Sequence, residues 1–321
     1  MLKCRILLSI WLIVTAVAGS KAGADVWRLT DDQELEAVSD QPEAKLLLAV
    51  AKVKELVNTG QTKEAKKAYG KLRDDFPDLA GPDFDAFVKA EMYFSEGKFA
   101  TAVRNYDKFL KDYPMSRLYD AALDREFSIA TAYLGGHKLT VLKVLKLSGH
   151  AEGVKIMEKI TTEAGYYSPI GIKAAIAVAE HYEKRQKYDE AYLKWNEIST
   201  HWLVGDIGKQ ALLGMARSQY ASYNNPPEHK RAFFEVSRLS TAKTQYEKFR
   251  KLFPEEAKEL GIAEILVDID EQMAYKQYST AAYYDRVGNK QAATLYYDMV
   301  MRNWPGTKAA EMARKKQGQN P

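Results

Sequence analysis

Residues 97–114 read GKFATAVRNYDKFLKDYP, from Gly97 to Pro114. Ala102 stands five residues after the glycine, Tyr106 nine after it and Pro114 seventeen after it. A glycine suits the left-handed end of one helix. A small residue early in the next helix lets two backbones approach, and an aromatic one turn later fills the groove on the same face. A proline then stops that helix. The pattern recurs as Gly60, Ala65, Tyr69, Pro77 and as Gly288, Ala293, Tyr297, Pro305. A fourth copy keeps the phase with Gln186, Ala191, Trp195 and Leu203, and a fifth keeps its later half as Ala242, Tyr246 and Pro254. Only 10 of 321 residues are proline, so recurrence in one phase marks an internal repeat.

Each copy is preceded by another amphipathic run: Lys45–Leu56, Phe84–Phe94, Ala121–Tyr133, Ile172–Tyr182, Gln210–Tyr220 and Ile265–Tyr284. In three of them an alanine precedes a tyrosine by three residues: Ala90/Tyr93, Ala130/Tyr133 and Ala179/Tyr182. The expectation is an all-α chain of about six helix pairs over 44–316, with no strand alternation. Insertions fall near 134–149, after the third first-helix, and near 223–230. A second helix is expected over Ala151–Ala164, and a long one from about Arg231 to Phe253.

The flanks have their own composition. Lys3 and Arg5 precede the uncharged run Ile6–Gly19, and small residues end in Ala22-Gly23-Ala24. This is the order of a secretory signal peptide, expected over 1–24. The apolar run is short of the roughly 20 residues of a membrane span. Residues 25–43 hold seven acids against Arg28 alone and read as a solvated linker; 317–321 read as a tail. The net charge of +4 falls to +1 without Lys3, Arg5 and Lys21, so no nucleic-acid footprint is indicated. The composition, 46% apolar and 28% charged, excludes a disordered or collagen-like chain. The sole cysteine, Cys4, lies in the leader, so an exported chain would have no disulfide, thiolate metal site or cysteine chemistry.

The Gly–Ala–aromatic–Pro spacing resembles the tetratricopeptide repeat. That resemblance implies a right-handed superhelix whose concave face, built by the first helix of each pair, binds protein segments. Tyr113-Pro114-Met115-Ser116 and Trp304-Pro305-Gly306-Thr307, each followed by an alanine-rich helix, narrow it. So do the third-repeat insertion and the segment from Asp268 to Arg314. These features look like the BamD-type family, the tetratricopeptide component of the bacterial β-barrel assembly machinery. The resemblance implies an exported envelope scaffold without cofactor or metal. Its partners would be envelope proteins or peptides, including the assembly machinery and its clients. It implies N-terminal repeats (about 44–133) that recognise substrate segments and a C-terminal platform (about 265–316) for the assembly partner. Members of that family carry a lipobox cysteine after the leader. Thr15–Asp25 has none, so membrane association is expected only through a partner. The alternative readings are another periplasmic coordinator, in cell division or linked to peptidoglycan, and an enzyme or solute-binding protein on a helical solenoid.

No chemistry-bearing motif competes with the scaffold reading. His137, His150, His181, His201 and His229 form no H-E-x-x-H; His137 and His150 flank the third-repeat insertion, where a pair is conceivable but exposed loop residues are the preferred reading. There is no phosphate-binding glycine loop and no G-x-S-x-G elbow. The expectation is therefore a non-enzyme. The candidate groove residues are Lys45, Lys52, Lys89 and Tyr93, off the packing face of the first helices in repeats one and two. Leu139–Leu147 (LTVLKVLKL) is the most exposed-looking apolar run, either a partner contact or a loop folded back on the stack.

Overall fold

The computed structural model describes residues 27–29, 35–37, 42–141, 145–227, 231 and 236–318. The expected leader, much of the acidic linker and residues 228–230 and 232–235 lie outside them. The chain divides into two compact units: residues up to Ile129 together with Lys138–Ser148, and Ala130–His137 together with Gly149 onwards.

The first unit holds two short antiparallel strands, β1 (Trp27–Leu29) and β2 (Leu35–Ala37), with Trp27 opposite Ala37. Two helix pairs follow: α1 (Pro42–Asn58) with α2 (Thr62–Asp75), and α3 (Pro82–Ser95) with α4 (Phe99–Asp112). Most of α5 (Tyr119–Leu134) belongs here as well. Its strands β3 (Lys138–Val141) and β4 (Leu145–Ser148) form an antiparallel hairpin, with Leu139 opposite Leu147. This corrects the expectation of a chain without strands. The run 138–148 is rich in Leu and Val with interspersed Lys, which suits a β-ribbon, and Gly135-Gly136 closes off α5 before it. Val53, Val57, Ala65, Tyr69, Leu72 and Phe84 make the core of the first pair.

The second unit continues with α6 (His150–Ala164), α7 (Pro169–Lys184), α8 (Tyr188–His201) and α9 (Gly205–Asn224). Then come α10 (Ser237–Leu252), α11 (Pro254–Glu259), α12 (Ile262–Arg286), α13 (Lys290–Asn303) and α14 (Lys308–Lys316). The helix expected from about Arg231 is described as helical at Arg231 and, as α10, from Ser237, with 232–235 outside the described residues; the six expected pairs and the expected last helix, α14, are present, with α11 as an addition. Apolar clusters of described residues run through the unit. Trp195 packs with Ile172, Ala179, Ala211 and Met215; Tyr246 packs with Leu212, Leu239, Phe249 and Ile269; Tyr297 packs with Ala274, Ala281, Val300 and Ala310. Among the described residues, no helix is long and apolar enough to cross a membrane.

The repeat positions behave as their chemistry requires. Ala65, Ala102 and Ala191 have no exposed surface, and Ala242 and Ala293 are buried too. Tyr69, Tyr106, Trp195, Tyr246 and Tyr297 are buried beside them. Gly60, Gly97 and Gly288 have φ of 72°, 69° and 82°. In the fourth copy Gln186 holds the same left-handed conformation, φ 57°, the sole non-glycine among the described residues to do so. Pro77, Pro114, Pro254 and Pro305 each lie two residues beyond a second helix, and Pro254 also opens α11.

Candidate functional site

The candidate groove residues all lie in the first unit. Lys45 and Lys52 are seven residues apart on α1 and both are exposed; Lys89 is exposed on α3, and Tyr93, one turn on, is half-buried. The structure gives Lys52 a neighbour, Glu55, at 2.9 Å across one helical turn. Both side chains stay more than half exposed, so that pair adds little stability and leaves Lys52 accessible.

Behind this surface is a buried polar cluster that sequence reading missed. Glu91 on α3 is 1% exposed. Arg125 on α5 clamps it with Nε donating to Oε1 at 2.7 Å and Nη2 to Oε2 at 2.8 Å. Tyr69 of α2 donates its hydroxyl to Oε2 at 3.0 Å, and Tyr106 of α4 donates to Oε1. Arg125 also donates to Asn58 Oδ1 at the end of α1 and lies over the Phe94 ring. One carboxylate thus ties together α2, α3, α4 and α5. Burial and the neighbouring Glu91 charge both push the Tyr69 and Tyr106 phenols far above their usual value. Burial acts to lower the Arg125 pKa, and Glu91 outweighs it, so the guanidinium stays charged. The repeat aromatics Tyr69 and Tyr106 are therefore core fillers and hydrogen-bond donors at once. The legible sign was an acid, Glu91, one residue after the small-residue position Ala90 and so on the packing face of α3, whereas Asp85 and Lys89 are exposed.

The second unit carries a similar node on α7. Glu183 accepts from Trp195 Nε1 at 3.0 Å, from Arg217 Nη2 at 2.6 Å and from Ser218 Oγ at 3.1 Å. Lys194 of α8 is 6% exposed and donates to Glu158 of α6 at 2.6 Å and to Glu197 at 2.7 Å. Burial opposes its charge, but the two carboxylates hold its pKa above the ordinary lysine value. His137 is exposed, and the conceivable pairing of His137 with His150 is not what the structure brings together. His150 lies against His181, ring centroids 5.1 Å apart, while His137 lies against Tyr133. Arg185 approaches His150 Nε2 at 3.3 Å, and burial together with His150, Arg185, Lys184 and Lys187 holds His181 below its usual pKa. A cation-rich pair of this kind is a poor metal site. Among the described residues no group of three potential metal ligands occurs.

The Ser/Thr of the aromatic-Pro-x-Ser/Thr motif turns out to be a capping residue. Thr307 accepts from Ala310 N at the start of α14. Ser116 accepts from Leu118 N and donates to Asp83 Oδ2 at 2.6 Å, linking the start of α5 to α3. Ser168, in Tyr167-Ser168-Pro169, caps α7 in the same way. The motif marks the entry to a first helix and contributes no chemistry of its own.

A family model matches one helix pair of this chain, and solved structures are similar to it at low identity. A tetratricopeptide repeat family model matches residues 43–79, which is the α1–α2 pair. The C-terminal part of a TPR repeat-containing protein from Cytophaga hutchinsonii is similar at 14% identity, covering 84% of this chain and 90% of that one, with a TM-score of 0.38. PilW, described as a widely conserved type IV pilus biogenesis factor, is similar at 14% identity over 84% of this chain and 97% of its own, with a TM-score of 0.29. No curated protein matches the sequence. With the four-point pattern complete in the first, second and sixth helix pairs and partial in the fourth and fifth, the fold is an all-α solenoid of the tetratricopeptide type, an architecture suited to scaffolding protein–protein interaction.

Proposed function

We propose that this chain is an exported scaffold of the cell envelope that binds proteins or extended peptides and catalyses no reaction. Within that role we assign it to outer-membrane β-barrel protein assembly, in the manner of the BamD-type proteins it resembles. The observation that carries the binding role is the repeat array itself. Every first helix of the first unit buries one face against its neighbours and leaves Lys45, Lys52, Lys89 and part of Tyr93 at the surface. Fixed by the Glu91–Arg125 clamp, these side chains offer a rigid, basic surface to an extended, acidic or neutral client. The leader at 1–24 and the absence of cysteine from 15–25 support export without a lipid anchor.

Two measurements test this reading. Reversing Lys52 and Lys89 to Glu in the full chain weakens capture of envelope clients while the denaturation midpoint stays unchanged; unaltered capture removes the N-terminal surface from the proposal. Intact mass of the protein recovered from the native envelope gives a chain beginning near Asp25 without an acyl adduct. A chain still beginning at Met1, or one carrying a diacylglyceryl group, refutes the export route.

A further inference from the structure

Between α8 and α10, over α9, lies a pocket of about 320 Å³ lined by Asp189, Tyr192, Leu193, Gln219, Arg238 and Thr241. That volume is at the small end of ligand pockets, roughly 300–1,000 Å³, and fits one or two side chains rather than a folded surface. Its charges are already matched. Arg238 donates Nη2 to Asp189 Oδ2 at 2.7 Å and Nη1 to Ser222 Oγ at 2.5 Å, and Ser222 donates to Asp189 Oδ1 at 3.0 Å. An anion would have to draw Arg238 out of this ring, and a cation would have to draw out Asp189. The pocket therefore favours an uncharged occupant.

Two side chains say more about that occupant. Leu193 is 64% exposed at the rim, a large apolar surface with nothing over it. Gln219 is 9% exposed, and its carboxamide oxygen has no hydrogen-bond partner. Buried polar groups are nearly always paired, so an unpaired one in a pocket wall points to a missing partner. The last torsion of a glutamine is broad, so a small turn presents both its oxygen and its amino group to the pocket. An extended residue turns its own N–H and C=O, which come from the two peptide groups flanking it, to the same side, and these match a carboxamide donor for acceptor at both positions.

We infer that this pocket receives an apolar side chain of an extended, uncharged partner segment, in which the N–H and C=O of one residue pair with Gln219. The inference deepens the scaffold reading and rests on it, and it places a binding site in the second unit, separate from the lysines of α1 and α3.

Saturation-transfer NMR on the full chain tests it with the capped peptide acetyl-Ala-Leu-Ala-amide. The expected result is saturable binding with Kd on the order of 1 mM. Methylating the leucine nitrogen removes one hydrogen bond and weakens binding about tenfold. In Gln219→Leu the methylated and unmethylated peptides bind alike, and Leu193→Ser, a rim change outside the core, weakens both. Peptides with Asp or Lys in place of the leucine show no saturation. Equal binding of the methylated peptide to the unaltered protein, equal binding of the charged peptides, or no saturation up to about 20 mM, well above the expected Kd, overturns the inference. The scaffold reading fails separately, through the charge reversals on α1 and α3, which do not touch this pocket.

Discussion

The Trp195 indole lies directly over the α-carbon of Gly214, so close that a methyl group on Gly214 would stand 2.5 Å from the indole Cδ2 and Cε2. The larger aromatic of the fourth repeat, on α8, is matched by a missing side chain on the first helix of the fifth. Real packing does not tolerate contacts that short. Gly214→Ala is therefore expected to destabilise by about 1–3 kcal/mol. Replacing Trp195 with Tyr, the residue at this position in other copies, should recover a large part of that loss. Urea midpoints of the two single variants and the double variant check it; strict additivity would show that the two residues do not share space.

Gln186 occupies the place where Gly60, Gly97 and Gly288 stand in other repeats, with a backbone that L-residues other than glycine enter at a cost of roughly 1–2 kcal/mol. Glycine returns part of that gain through its greater freedom in the unfolded chain. Gln186→Gly is expected to raise stability by about 0.5–1 kcal/mol, and Gly97→Gln to lower it by about 1 kcal/mol. Matched denaturation curves with unchanged slope decide the matter, and a destabilised Gln186→Gly contradicts the shared turn geometry.

Removing Arg125 leaves Glu91 charged and buried, with Tyr69 and Tyr106 still donating to it. Loss of one partner of such a pair costs about 3–5 kcal/mol. Arg125→Met should therefore be severely destabilising. Adding Glu91→Gln removes the stranded charge yet keeps an acceptor for one of the tyrosines. The double variant is expected to be more stable than Arg125→Met alone, by about 1 kcal/mol or more. A double variant that is worse than the single would mean that the charge on Glu91 is satisfied without Arg125.

His181 gives the fold an acid-sensitive point. The unfolded chain takes up a proton at this residue near the ordinary histidine value of about 6.5. The folded chain takes it up only at lower pH, because burial, His150 and the surrounding cations oppose the charge. The unfolded state therefore holds more protons just below the ordinary value. Stability contributed here is full above about pH 6.5 and is lost as the pH falls through the lower folded value. Denaturation at pH about 7.5, 6.5 and 5.5 should show that decline, and His181→Gln should flatten it. Glu197, held low by Lys194 against the effect of burial, adds a second loss only in the more acid carboxylate range. An unchanged slope in His181→Gln would assign the decline to another group.

The helix pairs were legible because each repeat position serves one demand that sequence writes directly: a positive φ, a close backbone approach, an aromatic filler, a stop. Even the irregular third repeat obeys it. Gly153 holds the small-residue place on α6, where an added methyl would meet Leu134 Cδ2 at 2.8 Å and the Ala130 carbonyl oxygen at 3.0 Å. It escaped notice because the hairpin 138–148 separates it from the turn that normally precedes it. The hairpin itself was hidden by its shortness, four residues a strand, too few for alternation to stand out. The Glu91–Arg125 clamp joins residues 34 positions apart. No local periodicity encodes such a pair, and only the stacking of one helix pair on the next reveals it. The surface lysines were legible as exposed positions. The Gln219 pocket was not, since its lining comes from three helices and its charges cancel.

Helix α12 runs unbroken for 25 residues, and its two halves enter different apolar clusters, Leu266 and Ile269 one, Ala274 and Ala281 the other. The second cluster is completed by Ala309, Ala310 and Ala313. During synthesis or export the first half of α12 can therefore settle against residues already present, while the second half waits for some thirty further residues to follow at roughly 5–20 per second. For a few seconds a folded half-helix carries an uncovered one, with Tyr275, Tyr278 and Tyr284 along it. The order of events in time is thus written into a single helix, and a pause in chain delivery after residue 286 would leave its second half open to a chaperone.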